Sequence, residues 1–270
     1  MVYFGLIGFP LKNTFSKDFF TTKFIELGLN KYRFENYEIE NIESVSDLVN
    51  NQTDLRGLCV TIPHKISIIK YLDEINDEAK KVGAVNCVKI LRSQQLTVDS
   101  QPMTKTKKNK LIGYNTDIYG FENSLEPFIG SFSGKALILG TGGAAKAVAY
   151  VLQKLNIDFV FVSRNNKLQT SNFKHFTYEM LDEKVMSEYQ LIINCTPVGM
   201  FPNVNDAPTI PYHLITPQHF AYDLIYLPDE TLFIQKCKAQ GAKTINGLKM
   251  LHLQAEKAWE IFNDDELLIR

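Results

Sequence analysis

At 270 residues, 45% hydrophobic and 22% charged, the chain has ordinary globular composition and is long enough for one large domain or two modest ones. A formal net charge of −1 gives no electrostatic case for nucleic acid or an anionic membrane as partner, and no apolar run reaches bilayer-spanning length. Four scattered cysteines (Cys59, Cys87, Cys195, Cys237), with no CxxC pair and no histidine at ligand spacing, argue against a metal site or a disulfide framework and for a reducing, cytoplasmic setting.

Met1–Gly5 lacks the basic segment and long apolar core of a signal peptide and reads as the start of a strand. The β-branched and aromatic run Val2–Phe9 predicts that strand, ending at Gly8-Phe9-Pro10, and a helix follows from about Ser16 to Leu27. Alternating apolar residues predict a second strand over Tyr32–Ile39, then a short helix over Ile42–Val49 and a third strand, Leu55–Ile62, stopped by Pro63. Ala84–Leu91 and Lys110–Tyr114 read as a hairpin. Its polar tip, Ser93–Asn109, runs into lysines 105, 107, 108 and 110, a pattern that fits a solvated tip better than a partner patch.

From Gly134 the alternation sharpens. Strands are predicted at Lys135–Leu139, Phe159–Ser163, Leu191–Cys195 and Phe220–Ile225, with a helix rich in small residues over Gly142–Leu155. The closing helix, Gly247 to Phe262, is expected to return to the first domain. This pattern predicts an α/β chain of two domains with mostly parallel sheets, residues 1–117 plus 246–270 and residues 118–245.

The strand Ala136–Leu139 runs directly into Gly140-Thr141-Gly142-Gly143-Ala144-Ala145 and a helix. Gly140 permits a tight turn, Gly142 lets backbone N–H groups approach a pyrophosphate, and Ala145 keeps the helix close to the sheet. The helix N-terminus adds its partial positive charge, so this is a dinucleotide site by expectation. An acid at the end of the next strand would bind the ribose 2′-OH of NAD. Here the strand ends Ser163-Arg164-Asn165-Asn166-Lys167, where Arg164 and Lys167 suit a 2′-phosphate, so NADP is the expected cofactor.

Three polar clusters interrupt apolar strand ends: residues 8–16, residues 60–65, and Gly83–Asn86 with Gly113–Asp117. Ligands of open α/β sheets sit beyond the carboxyl ends of the strands, and the hydroxyl, amide, ammonium and carboxylate groups here suit a small polyhydroxylated acid. The same clusters carry a resemblance over nearly the whole chain. Gly8-Phe9-Pro10, Val60-Thr61-Ile62-Pro63-His64-Lys65, Gly83-Ala84-Val85-Asn86, Asn115-Thr116-Asp117, the glycine turn and Gly247-Leu248-Lys249-Met250-Leu251 through Gln254 follow one another in the order of the shikimate dehydrogenase family, which the sequence resembles.

The resemblance implies a substrate domain and a Rossmann-type, doubly wound NADP domain separated by a cleft. It implies reversible NADPH-dependent reduction of 3-dehydroshikimate to shikimate, in a monomer or homodimer. By position it makes Lys65 and Asp117 the catalytic pair, although Asp117 also suits a helix N-cap before Ile118. Thr14 and Ser16 would hold the substrate carboxylate, and Thr61, Asn86, Tyr226 and Gln254 the rest of the substrate. Asp77, Thr196, Leu224 and Gly247 match cofactor contacts, with Met250 packing near the nicotinamide; a buried methionine also suits plain core. Cys195, inside Asn194–Met200, fits a small filler better than a nucleophile.

The sequence departs from the family pattern at Thr14, where a serine is expected, and at Asn13, where histidine is common. Cys59 replaces the asparagine before Val60-Thr61, Asn165 replaces threonine, and Leu168 stands where a second arginine can occur. Thr14 keeps the hydroxyl, so a shikimate/quinate enzyme with a broader choice of substrate stays open as the alternative.

Overall fold

The computed structural model describes residues 1–11, 14–92, 109–164 and 174–264, which leaves nearly all of the basic hairpin tip outside the described residues. The chain divides into two compact units, Met1–Thr116 with the segment from Ala255 onward, and Asp117–Gln254. The sequence reading placed these boundaries at 117/118 and 245/246.

In the first unit, β1 (Val2–Gly8), β2 (Tyr32–Glu38) and β3 (Leu55–Val60) run parallel, with β1 between the other two. β5 (Cys87–Leu91) is antiparallel to β3 and to β6 (Lys110–Tyr114), and β4 (Glu74–Ile75) pairs parallel with β6. The order is β2-β1-β3-β5-β6-β4. Near-continuous burial along β1 and β3 reflects a sheet covered on both faces. On one face lie α1 (Phe15–Glu26) and the end of the last helix, α8 (Leu248–Asn263), whose Ala258 and Phe262 join Phe4, Phe20, Phe24 and Phe34 in an aromatic core. Phe20 stacks on Phe34 with centroids 4.6 Å apart, and Phe4 on Phe262 at 5.0 Å. The opposite face buries α2 (Val45–Asn51) and α3 (Asp77–Val82) through Val45, Val49 and Ala79.

The second unit holds β7 (Ala136–Leu139), β8 (Phe159–Ser163), β9 (His175–Thr177), β10 (Leu191–Asn194), β11 (Phe220–Asp223) and β12 (Lys243–Ile245), all parallel. Their order, β12-β11-β10-β7-β8-β9, is the Rossmann-type doubly wound arrangement, in which strand order reverses between β7 and β10. α6 (Glu183–Glu188) and α7 (Leu232–Ala239) cover one face through Met186, Phe233 and Ile234. α5 (Gly143–Lys154) follows β7, and α4 (Thr116–Ile129) brings Phe121 edge-on to Tyr222 at 5.1 Å.

Several elements escaped the sequence reading. β4, β9 and β12 have two or three residues each, too few to show a period. α4 was legible in principle, since Ile118, Phe121, Leu125 and Ile129 recur at helical spacing and are all buried. Only its start was anticipated, through the N-cap expectation at Asp117, because Gly120 and the internal Pro127 interrupt the pattern beyond it.

Candidate active site

The loops at the carboxyl ends of β1 and β3 meet through the backbone. Thr61 N donates to Ile7 O at 2.9 Å, and Phe9 N donates to Ile62 O at 3.0 Å. His64 N returns to Thr61 O at 2.9 Å, forming a tight turn that presents half-buried Lys65. The His64 ring is buried and its Nε2 lies 2.7 Å from Ile39 O, which pins the turn from the other side. Thr14, the residue before α1, donates its hydroxyl to Asn36 Oδ1 at 2.9 Å rather than capping the helix. Asn36, on β2, is a site neighbour that no motif marked. Ser16 sits half-buried in the first turn of α1, and Asp77 is exposed as the first residue of α3.

Each residue of Gly83-Ala84-Val85-Asn86 has a structural task. Gly83 ends α3, and Ala84 O accepts from Asn115 Nδ2 at 2.9 Å. Val85 N donates to Lys65 O at 2.7 Å. The buried Asn86 amide closes on Thr116: its Oδ1 accepts from Thr116 N at 2.7 Å, and its Nδ2 donates to Thr116 Oγ1 at 3.0 Å. α4 therefore starts at Thr116, and Asp117 lies within its first turn instead of capping it, a correction to the N-cap expectation. A carboxylate there faces the positive end of the helix.

Three residues on, Gly120 lets α4 and α8 approach closely. A Cβ at Gly120 would stand 2.6 Å from Met250 O and 3.0 Å from Gln254 Cβ. This crossing brings Gln254 beside the helix that carries Asp117, and it buries Met250 to 7% exposure. Gln254 Nε2 donates back to Leu251 O at 3.1 Å.

At the switch point of the second sheet, Gly140 has φ +98°, which only glycine adopts readily. Its missing side chain also admits Thr196, whose methyl would be 2.9 Å from a Cβ. Thr141 and Gly142 lead into α5, whose first turn is Gly143, Ala144 and fully buried Ala145. Gly142 stands at the N-cap with φ −74° and supplies no side-chain cap, and a Cβ there would project into open space. The result is a cradle at a helix N-terminus that fits a pyrophosphate.

β8 ends at half-buried Ser163, whose hydroxyl lies 2.9 Å from His175 Nε2, followed by exposed Arg164. Burial pushes the Tyr178 phenol up, against the opposing pull of the Arg164 charge. Asn165, Lys167 and Leu168 lie outside the described residues. After β10 and β11 come half-buried Thr196, Leu224 and Tyr226. Buried Gly247 donates its N–H to Ile225 O at 3.0 Å, with the Leu224 backbone packed where a side chain would be. Burial pushes the Cys195 thiol well up, which suits a filler and not a nucleophile.

A doubly wound parallel sheet with a glycine turn and a bare helix N-terminus at its switch point places the chain among two-unit, dinucleotide-binding α/β proteins. A family profile described as the shikimate dehydrogenase substrate binding domain matches residues 6–88. The shikimate dehydrogenase (NADP(+)) of Methanococcus maripaludis is 38% identical over 271 residues, 96% of this chain and 90% of that protein. The chain belongs to the shikimate dehydrogenase family. Among solved structures, a shikimate dehydrogenase in complex with NADP+ aligns with TM-score 0.79 and 34% identity, over 97% of this chain and 90% of that one. The Thermus thermophilus enzyme in complex with NADP(H) and shikimate gives TM-score 0.78 and 27% identity, over 97% and 93%.

Proposed function

We propose that this chain is an NADP-dependent oxidoreductase that reversibly reduces 3-dehydroshikimate to shikimate, the reaction that its relatives' names indicate. The observation that carries the reading is the placement of Lys65 and Asp117 around two consecutive residues. Val85 N holds the Lys65 carbonyl, and the Asn86 amide holds Thr116, the residue before Asp117.

NADPH bound at the glycine turn supplies the hydride. Gly142, Gly143 and Ala144 offer backbone N–H groups to its pyrophosphate, and Arg164 offers a fork to its 2′-phosphate. Lys65 donates a proton to the ketone oxygen as negative charge grows there, and Asp117 orients that ammonium and the reacting hydroxyl. Thr14 exchanges Asn36 for the substrate carboxylate, with Ser16 as the second donor. Thr61, Asn86, Tyr226 and Gln254 take the ring hydroxyls, while Thr196, Leu224, Gly247, Met250 and Asp77 complete the cofactor contacts.

No helix among the described residues is long and apolar enough to cross a membrane, and none of the four cysteines forms a disulfide, which fits a cytoplasmic enzyme. Nicotinamide absorbance, followed with shikimate or quinate and with NADP or NAD, tests the reading. Turnover of shikimate with NADP is the expected result. Comparable turnover of quinate with NAD would move the assignment to the broader enzyme, and silence with every pair would overturn it.

A further inference from the structure

The carboxylate of Asp223, at the end of β11, is fully buried, and the chemistry above makes no use of it. Its Oδ1 accepts from Asn194 Nδ2 and from Ile225 N, both at 3.0 Å, and its Oδ2 accepts from Thr231 Oγ1 at 2.6 Å. Asn194, also fully buried, presents its Oδ1 to Thr196 N at 3.0 Å and to Thr196 Oγ1 at 2.6 Å. Leu224 N donates to Asn194 O at 3.0 Å, and Gly247 N to Ile225 O at 3.0 Å. Thr231 in turn caps α7, accepting from Ile234 N at 3.3 Å. One carboxylate thus joins the loop of Thr196, the turn of Leu224 and Tyr226, and the start of α7. Thr196 is the residue packed against Gly140 of the glycine turn.

We propose that ionised Asp223 is a positioning residue of the dinucleotide site, holding Thr196 and Leu224 in binding geometry and loosening them when it takes up a proton. The proposal rests on reading the glycine turn as an NADP site. Ionised acceptors make the stronger hydrogen bonds, and two donors converge on Oδ1. A proton on Oδ2 would face the Thr231 hydroxyl hydrogen, so one of the two must turn away.

The change falls in an accessible range. Burial pushes the Asp223 carboxyl up to about 6, against the pull of hydrogen bonds from Thr231, Ile225 and Asn194. Cys195 beyond β10, Cys237 on α7 and Tyr212 are titratable groups that feel Asp223. Burial pushes all three up, Cys237 to about 12, so they stay neutral where Asp223 titrates.

The test compares wild type, Asp223→Asn and Thr231→Val, measuring NADPH affinity by fluorescence and both Michaelis constants from about pH 5 to pH 8. The cofactor's 2′-phosphate titrates in the same range, so the readout is the difference between proteins. Asp223→Asn, a near-isosteric mimic of the neutral acid, is expected to weaken NADPH binding roughly ten-fold at the alkaline end, as losing a charge-assisted hydrogen bond does, and to bring it close to wild type at the acid end. The KM for shikimate should change far less. Thr231→Val, lacking a donor to the carboxylate, should move the wild-type inflection to higher pH. Equal NADPH affinity in wild type and Asp223→Asn at every pH, or parallel rises in both Michaelis constants, would overturn this proposal alone. A wild type that binds no NADPH would overturn it together with the reading of the site.

Discussion

Asn86 Oδ1 accepts a hydrogen bond from the backbone N–H of Thr116 at 2.7 Å, with both residues buried. An amide expected to bind substrate is thus also the clasp that starts the helix of Asp117. Asn86→Ala leaves buried polar groups of Thr116 without this partner, which costs about 1–3 kcal/mol. A lower urea midpoint together with a fall in kcat is the expected result. A variant that loses kcat at unchanged stability would show that the clasp contributes little to the fold.

Lys65→Ala removes the proposed proton donor but keeps the backbone bond between Lys65 O and Val85 N. We predict that kcat falls by roughly 10²- to 10⁴-fold, the usual scale for a general acid. NADPH affinity, measured by fluorescence titration, should stay close to wild type. A small loss of kcat would remove Lys65 from the chemistry.

Two glycines of one turn should behave differently on change to alanine. At Gly142 the backbone suits alanine and a Cβ meets open space, so Gly142→Ala should fold with an unchanged melting temperature. Its methyl stands where the pyrophosphate is proposed to bind, and the KM for NADP should rise roughly ten-fold or more, the cost of about one lost hydrogen bond. Gly140→Ala forces a side chain into φ +98° and against Thr196, which should lower stability by about 1–3 kcal/mol. Calorimetry of the two variants separates these outcomes.

Asp223 also makes stability depend on pH. Its folded carboxyl, near 6, stands above the ordinary 3.8, so the folded state binds a proton that the unfolded chain does not. The stabilisation from that proton is fully present below about 3.8 and lost as pH rises through about 6, a contribution of roughly 3 kcal/mol. Melting curves of wild type and Asp223→Asn should therefore shift relative to each other between about pH 7 and pH 4, with wild type gaining as pH falls. A constant offset between them would place the titration elsewhere.

Much of the fold was legible because long apolar periods and glycine turns are local signals. β1, β3, α5 and the β5–β6 pairing follow from residues a few positions apart. α4 shows the limit, since Gly120 looks like a helix breaker until α8 is seen lying against it, with Met250 O where a side chain would stand. The motif residues were legible as a set through the family resemblance. Their partners were not: Asn36 holds Thr14, Ile39 pins His64, and Asp223 holds Asn194, none of them marked by a motif.

The sequence by itself determined the alternation of strands and helices, the strand–glycine–helix turn and the chemical kinds of group clustered at strand ends, because each is written within a few consecutive residues. Only the tertiary structure decided which of those groups touch. Asn86 meets Thr116 across 30 positions and Asn194 meets Asp223 across 29. Such contacts depend on how strands order themselves in a sheet, and that order is set by burying apolar faces on both sides of it.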